Sequence, residues 1–415
     1  MIAEIISVGT ELLLGQIVNT NAAYIAKKLA QLGINTYYQT VVGDNEEKLI
    51  QTIKIAEERS DLLIFIGGLG PTPDDLTKET VAKHLEEPLI LDAASLENIR
   101  YYFEQQGREM SSNNQKQAVY FQNGRFFKNS VGHAIGTYLQ KNEKAYLLVP
   151  GPPKEMIKML DEEIVPFLRS LNENKEQFIL SNTLRFYGIG ESTLVDQLAS
   201  IIENQTNPTV AAYAGSYEVS LRITASGPDD ASCKERMEKM KEEILAVVGD
   251  YCYGEGEDNS LANVVETILV EKGLKISAAE SLTGGLFQST LVSVPQCGQV
   301  FPGGIVSYEE GIKRDVLGVP EEILEKDGMV SEACAISMAE KCLEMFRTDL
   351  AISFTGAAGP DSLEGNPPGT VWIGISQVGK ESFARKYRFM HDREGNRERS
   401  VQQGLDLLRR LLEGK

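Results

Sequence analysis

The sequence predicts an α/β protein, with two doubly wound α/β domains joined by a small α+β middle domain. Three observations predict it. Apolar strand-like runs alternate with amphipathic helical stretches through residues 1–170, and the same alternation resumes over residues 258–415. Between them, residues 171–253 carry paired strand patterns and one long charged helix. At about 100–200 residues per domain, 415 residues allow two to four domains.

In the first domain IAEIISVG reads as a buried strand. NTNAAYIAKKLAQLGI reads as a helix, with Asn19, Thr20 or Asn21 as cap and Gly33 as stop. NTYYQTVVGD, NEEKLIQTIKIAEERS and DLLIFIGG follow as strand, helix and fully apolar strand. This order implies right-handed crossovers and a parallel sheet, which binds ligands beyond the carboxyl ends of its strands. Polar or glycine-rich loops stand at those ends: VGTELL with Thr10 and Glu11, then VVGD, then GGLGPTPDDLT. Gly67, Gly68 and Gly70 let backbone N–H groups approach an anion closely. The adjacent Asp74 and Asp75, with no His or Cys nearby, suit a hard divalent cation such as Mg²⁺ that bridges phosphates. A turn leading into the helix KETVAKHL, with Asp75 or Thr77 at its start, explains the same residues by capping. In PGPP, Pro152 and Pro153 pre-set a helical turn.

FILSNTLRFYGIGESTLVDQLASII, NPTVAAYAGSYEVSLRITASG and DDASCKERMEKMKEEILAVVGDYCYG form the α+β unit, whose GIGES resembles a phosphate loop only weakly. GEGEDNSL, residues 254–261, reads as a linker. In the last domain three strand ends carry reactive-looking residues: Ser281, then Tyr308 with Lys313 beyond it, then Thr355 and Gly356. Ser281, in AAESLTGG, is either a helix cap or a nucleophile. No histidine lies near these ends, so a nucleophilic serine needs a lysine whose pKa is lowered by burial or by neighbouring cations such as Arg314. Gly284 and Gly285, beside Thr283, offer backbone N–H groups at a helix start for an oxyanion or a phosphate.

Composition narrows the function classes. A net charge of −19 disfavours direct nucleic-acid binding. No apolar stretch approaches the 18 to 20 or so residues of a membrane span, and MIAE does not begin a signal peptide, so a cytoplasmic location is expected. The five cysteines form no CxxC pair and read as reduced thiols, and His84, His133 and His391 are too scattered for a helical metal pair.

VGTELLLGQIVNTN, GGLGPTPDDLT and PGPPKEM, followed by AAESLTGG, GGIVSY and ISFTGAAGPD, resemble in order and over nearly the whole chain the CinA family of competence/damage-inducible proteins. The resemblance implies a MogA/MoaB molybdopterin-binding-type domain, a small middle domain and a C-terminal nicotinamide mononucleotide deamidase domain. The implied reaction turns nicotinamide mononucleotide into nicotinate mononucleotide and ammonia, in pyridine nucleotide recycling and without a cofactor. ADP-ribose pyrophosphatase activity in the first domain, with a divalent metal, is also implied. Ser281 would be the nucleophile, Lys313 the general base and Tyr308 the residue that orients them. Thr283, Gly284, Gly285, Thr355 and Gly356 would contact substrate. Arg397 would contact its phosphate or ribose, with Arg393 and Arg399 as competitors. The chain departs from the family pattern at Glu310, where Tyr-x-Asn is usual, and at Ile135, where Ala-Pro-Gly is usual. A homodimer with small nucleotides as ligands is expected. The rival readings are a pterin- or nucleotide-binding module without turnover and an adaptor in DNA uptake or recombination.

Overall fold

In a computed structural model describing residues 1–171 and 178–415, the chain divides into two compact units, Met1–Leu180 with Ser226–Cys233, and Ser181–Ala225 with Lys234–Lys415. The first unit holds a six-stranded sheet ordered Asn35–Val42, Ile2–Val8, Leu62–Ile66, Lys144–Val149, Gly136–Lys141 and Arg125–Phe127. The first four strands are parallel, as alternation predicts, and the last two are added antiparallel, so the sheet is mixed. Strand periodicity explains the apolar runs. Ile5, Ile64 and Leu147 face helices carrying Ile25, Leu29 and Met156, while Ile6, Phe65 and Leu148 face those carrying Leu49, Ile53 and Val81. Asn19 caps the helix Thr20–Gln31 through the Ala22 N–H at 3.2 Å. Pro153 opens the helix Pro153–Met159, so PGPP does serve as punctuation.

The second unit contains a five-stranded sheet ordered Gly303–Val306, Ile276–Glu280, Leu350–Gly356, Thr370–Gln377 and Phe383–Arg388. Its first three strands are parallel and the last two antiparallel, again because hairpins extend a parallel centre. Ile276, Ala278, Ile352 and Phe354 pack on one face, and Ala279 and Ala351 pack with Cys334 and Met338 on the other. The middle sheet is ordered Thr209–Ala214, Val219–Gly227, Phe178–Phe186 and Cys252–Glu255. Its edge strand takes up the start of the expected linker, since Gly254 and Glu255 pair with Arg185 and Leu184. A short helix, Glu321–Lys326, is not evident from the sequence because its acidic run has weak apolar periodicity. Among the described residues no helix is long and apolar enough to cross a membrane.

Candidate active sites

The strand Ile276–Glu280 is buried along its whole length and delivers Ser281 to the carboxyl edge of the sheet. The Ser281 N–H donates to Phe354 O at 2.8 Å, which ties the turn to the neighbouring strand. Gly284 and Gly285 have φ of +59° and +93°, a conformation that favours glycine. The helix Leu286–Val292 takes no cap from Ser281. Instead the buried carboxylate of Glu280 accepts from the N–H groups of Gly285 at 2.9 Å, Phe287 at 3.1 Å and Gln288 at 2.9 Å. Capping therefore falls to Glu280, which leaves the Ser281 hydroxyl free.

The strand Gly303–Val306 runs parallel to this one, and beyond it the chain winds through Glu310–Ile312 into a π-helical turn, Lys313–Leu317. Lys313 Nζ lies 3.0 Å from Ser281 Oγ, 2.8 Å from Ser307 O and 3.2 Å from Tyr308 O. The lysine is 1% exposed and the serine 8%. Burial pushes the lysine pKa down, and Cys334, Glu364 and Glu310 push it weakly the other way. A neutral amine has two N–H groups and one lone pair. The two carbonyls can take both N–H groups, which turns the lone pair toward the Ser281 hydroxyl.

A cavity of about 500 Å³ opens over this pair, lined among others by Tyr308, Glu310, Thr355, Gly356 and Arg393. Several expected contacts are placed otherwise. The Gly284 N–H closes the turn onto Ser281 O at 3.0 Å and the Gly285 N–H belongs to Glu280, so neither is available to an oxyanion. Unengaged N–H groups on the wall include those of Leu282, Ala358 and Gly359, which have no acceptor among the described residues. Thr283 is fully buried and off the wall. Tyr308 holds the lysine through its carbonyl, while its hydroxyl accepts from Arg393 at 2.9 Å. Thr355 lines the cavity, but its hydroxyl is spent on Met329 O at 2.6 Å. Gly356 contributes backbone, since a Cβ there would lie 2.4 Å from Thr370 O.

Among the three competing arginines, Arg393 lines the cavity and also donates to Gly359 O at 2.7 Å. Arg397 instead clamps Leu282 O at 3.2 Å and Thr283 O at 2.9 Å, so it supports the serine turn from behind. Arg399 lies on a different cavity, and Arg314 is spent on Asp315 and Glu321. Glu280 and Ser307 were missed by sequence reasoning. An acid closing an otherwise apolar strand, as in SAAE, was the available signal for Glu280.

In the first unit, Glu11, Asp44, Gly67, Gly68, Gly70, Asp74 and Asp75 share a cavity of about 650 Å³ at the carboxyl edge of the sheet. The N–H groups of Gly68, Leu69 and Gly70 have no acceptor among the described residues, as an anion cradle requires. Gly67 has φ of +94°, and a Cβ on it would lie 2.6 Å from Val8 O. Thr10 is off the wall and holds Asp44 by two 2.9 Å bonds. Asp75 accepts from the Thr72 N–H at 2.9 Å and its hydroxyl at 2.6 Å, so it shapes the turn. The helix starts at Thr77. Among the described residues no three His, Cys, Asp or Glu side chains are grouped to hold a metal ion by themselves. Lys78, unmarked by the motif, is 1% exposed, and the one hydrogen bond of its amine among the described residues goes to O of Gln117, which lines this cavity, at 3.3 Å. Burial pushes its pKa down to about 7.

Comparison with known proteins places each part. The model for the CinA C-terminal domain matches residues 258–412, that for the CinA KH domain residues 181–254, and "Probable molybdopterin binding domain" residues 4–170. A competence-damage inducible protein of Levilactobacillus brevis is 49% identical over 414 residues, covering 100% of this chain and 99% of the relative. The chain belongs to the CinA family. A second relative of that name, from Listeria welshimeri, is 49% identical over 99% of both chains. Among solved structures, a CinA protein from Thermoplasma acidophilum is 35% identical over 40% of this chain and 97% of its own, with a TM-score of 0.36. A CinA superfamily protein from Klebsiella pneumoniae is 31% identical over 37% of this chain and 97% of its own, with a TM-score of 0.37.

Proposed function

We propose that this CinA-family chain is an amidohydrolase that converts nicotinamide mononucleotide to nicotinate mononucleotide and ammonia. The observation that carries the reading is a buried lysine, with lowered pKa, in contact with a serine left free at a strand end. Neutral Lys313 takes the Ser281 hydroxyl proton as Oγ bonds to the carboxamide carbon. The tetrahedral oxyanion forms against the free N–H groups of Leu282, Ala358 or Gly359. The lysine ammonium returns its proton to the departing nitrogen, the C–N bond breaks, and ammonia leaves an ester on Ser281. Water, deprotonated by the same amine, cleaves the ester and restores the serine. Arg393 lies on the wall as the cation for the substrate phosphate. Ser281→Ala should abolish ammonia release from nicotinamide mononucleotide without changing the circular dichroism spectrum, and unchanged turnover would falsify the assignment.

A second reading, hydrolysis of ADP-ribose by the first unit, rests on the free N–H groups of Gly68, Leu69 and Gly70 beside acidic side chains. With Asp75 committed to the turn, Asp74, on the same wall as Glu11, would hold a divalent cation, whose other ligands would be waters and phosphate oxygens. Such an ion would supply positive charge to the diphosphate. Asp74→Ala should remove both Mg²⁺-dependent ADP-ribose binding and release of AMP and ribose 5-phosphate, and retention of both would sink this reading.

A further inference from the structure

Two features unused by the proposed amidase site, the GIGES turn and Arg399, meet in one cavity. It measures about 410 Å³, within the usual range of small-molecule sites, and its lining includes Tyr187, Gly188, Gly190, Tyr217, Phe389 and Arg399. It shares no lining residue with the cavity over Ser281.

Arg399 lies 5.0 Å from the Tyr217 ring centroid and has one weak hydrogen bond among the described residues, from Nη2 to Ser216 O at 3.4 Å. Its Nε is buried without a partner among the described residues. A guanidinium presents five N–H groups in a fork that matches phosphate, and a buried donor without an acceptor is costly. The Gly188–Gly190 turn lines the same cavity and supplies more donors. The N–H groups of Gly188, Ile189 and Gly190 have no acceptor among the described residues, and Gly188 takes φ of +84° to form the turn. Two carboxylates, Glu218 and Glu191, also line the cavity. Glu218 pairs with Arg185 and Tyr253, Glu191 is exposed, and Glu398 nearby accepts from Tyr217. Tyr187, Tyr217 and Phe389 supply aromatic surface to the same space.

We propose that this cavity binds a nucleotide. Its phosphate sits between Arg399 and the Gly188–Gly190 turn, and its planar base lies against the aromatic wall. The claim does not depend on the amidase reading, because Arg399 and the turn touch neither Ser281 nor Lys313.

Calorimetric titration of the full chain with AMP tests it, in an Asp74→Ala/Arg393→Ala background that weakens nucleotide binding at the other two cavities. One AMP site should remain. Adding Arg399→Ala should weaken it at least about tenfold, the worth of a charge-assisted hydrogen bond. Gly190→Asp should do the same, and the fold should tolerate it, because Gly190 has φ of −80° and open space where a Cβ would stand. Inorganic phosphate should bind more weakly than AMP, and adenosine more weakly still. AMP affinity unchanged by both substitutions would overturn the proposal. So would adenosine binding as tightly as AMP, phosphate binding as tightly as AMP, or single-stranded RNA outcompeting AMP at the same residues.

Discussion

Lys313 Nζ lies 3.0 Å from Ser281 Oγ, and two carbonyls hold the same nitrogen from Ser307 and Tyr308. Because those carbonyls fix the rotamer, the amine has one direction left for its lone pair, and that direction is the serine.

The pH dependence follows from burial. Lys313 acts as a base only when neutral, so ammonia release should rise with pH through a pKa below the ordinary lysine range. Glu310 pushes that pKa up. Glu310→Gln should therefore move the ascending limb of the kcat profile to lower pH. A limb that stays put, or moves up, would show that this carboxylate does not reach the lysine.

Glu280 holds the serine turn by gathering three helix N–H groups. Glu280→Gln keeps the shape but replaces one acceptor oxygen by a donor and removes the charge. It should cost about 1–3 kcal/mol in urea unfolding and lower kcat as well. Full stability in the variant would mean that the turn holds without this acid.

Arg393 and Arg397 separate kinetically. Arg393→Ala removes a cavity-wall cation and should raise KM more than it lowers kcat. Arg397→Ala releases the carbonyls of Leu282 and Thr283 and should lower kcat more than it raises KM. Steady-state kinetics with nicotinamide mononucleotide would refute the placement if the pattern were reversed.

Lys78 carries a stability signature. Its folded pKa is about 7, against about 10.4 for an unfolded lysine. Between these values the unfolded chain binds the proton and the folded chain does not, so stability rises with pH across that window. Below pH 7 both forms are protonated and the burial penalty is present in full. Each tenfold loss of proton affinity corresponds to about 1.4 kcal/mol. Lys78→Met should therefore stabilise the protein by a few kcal/mol at pH 6 and by much less at pH 10. Equal effects at both pH values in urea unfolding would show that the lysine is not held neutral.

The sheet centres and the strand ends were legible in the sequence because burial on both faces forces continuous apolar runs such as LLIFI and LAISF. The pairing of Ser281 with Lys313 was legible for the same reason, since both follow strands of one sheet. The owners of individual backbone N–H groups were not. Periodicity places Gly284 and Gly285 at a helix start, but only the folded chain reveals that Glu280 takes the Gly285 donor. Arg393 and Arg397 were indistinguishable because residues four apart share a helix face. The added antiparallel strands were hidden because their local patterns do not encode direction.

The most direct measurement is ammonia release at saturating nicotinamide mononucleotide by Ser281→Ala, Lys313→Met and the double variant. Lys313→Met should lose roughly 10²–10⁴-fold in kcat, Ser281→Ala should lose at least as much, and the double variant should be no slower than the slower single one, because the residues act as a unit. Losses that multiply in the double variant, or wild-type turnover in Ser281→Ala, would contradict the account.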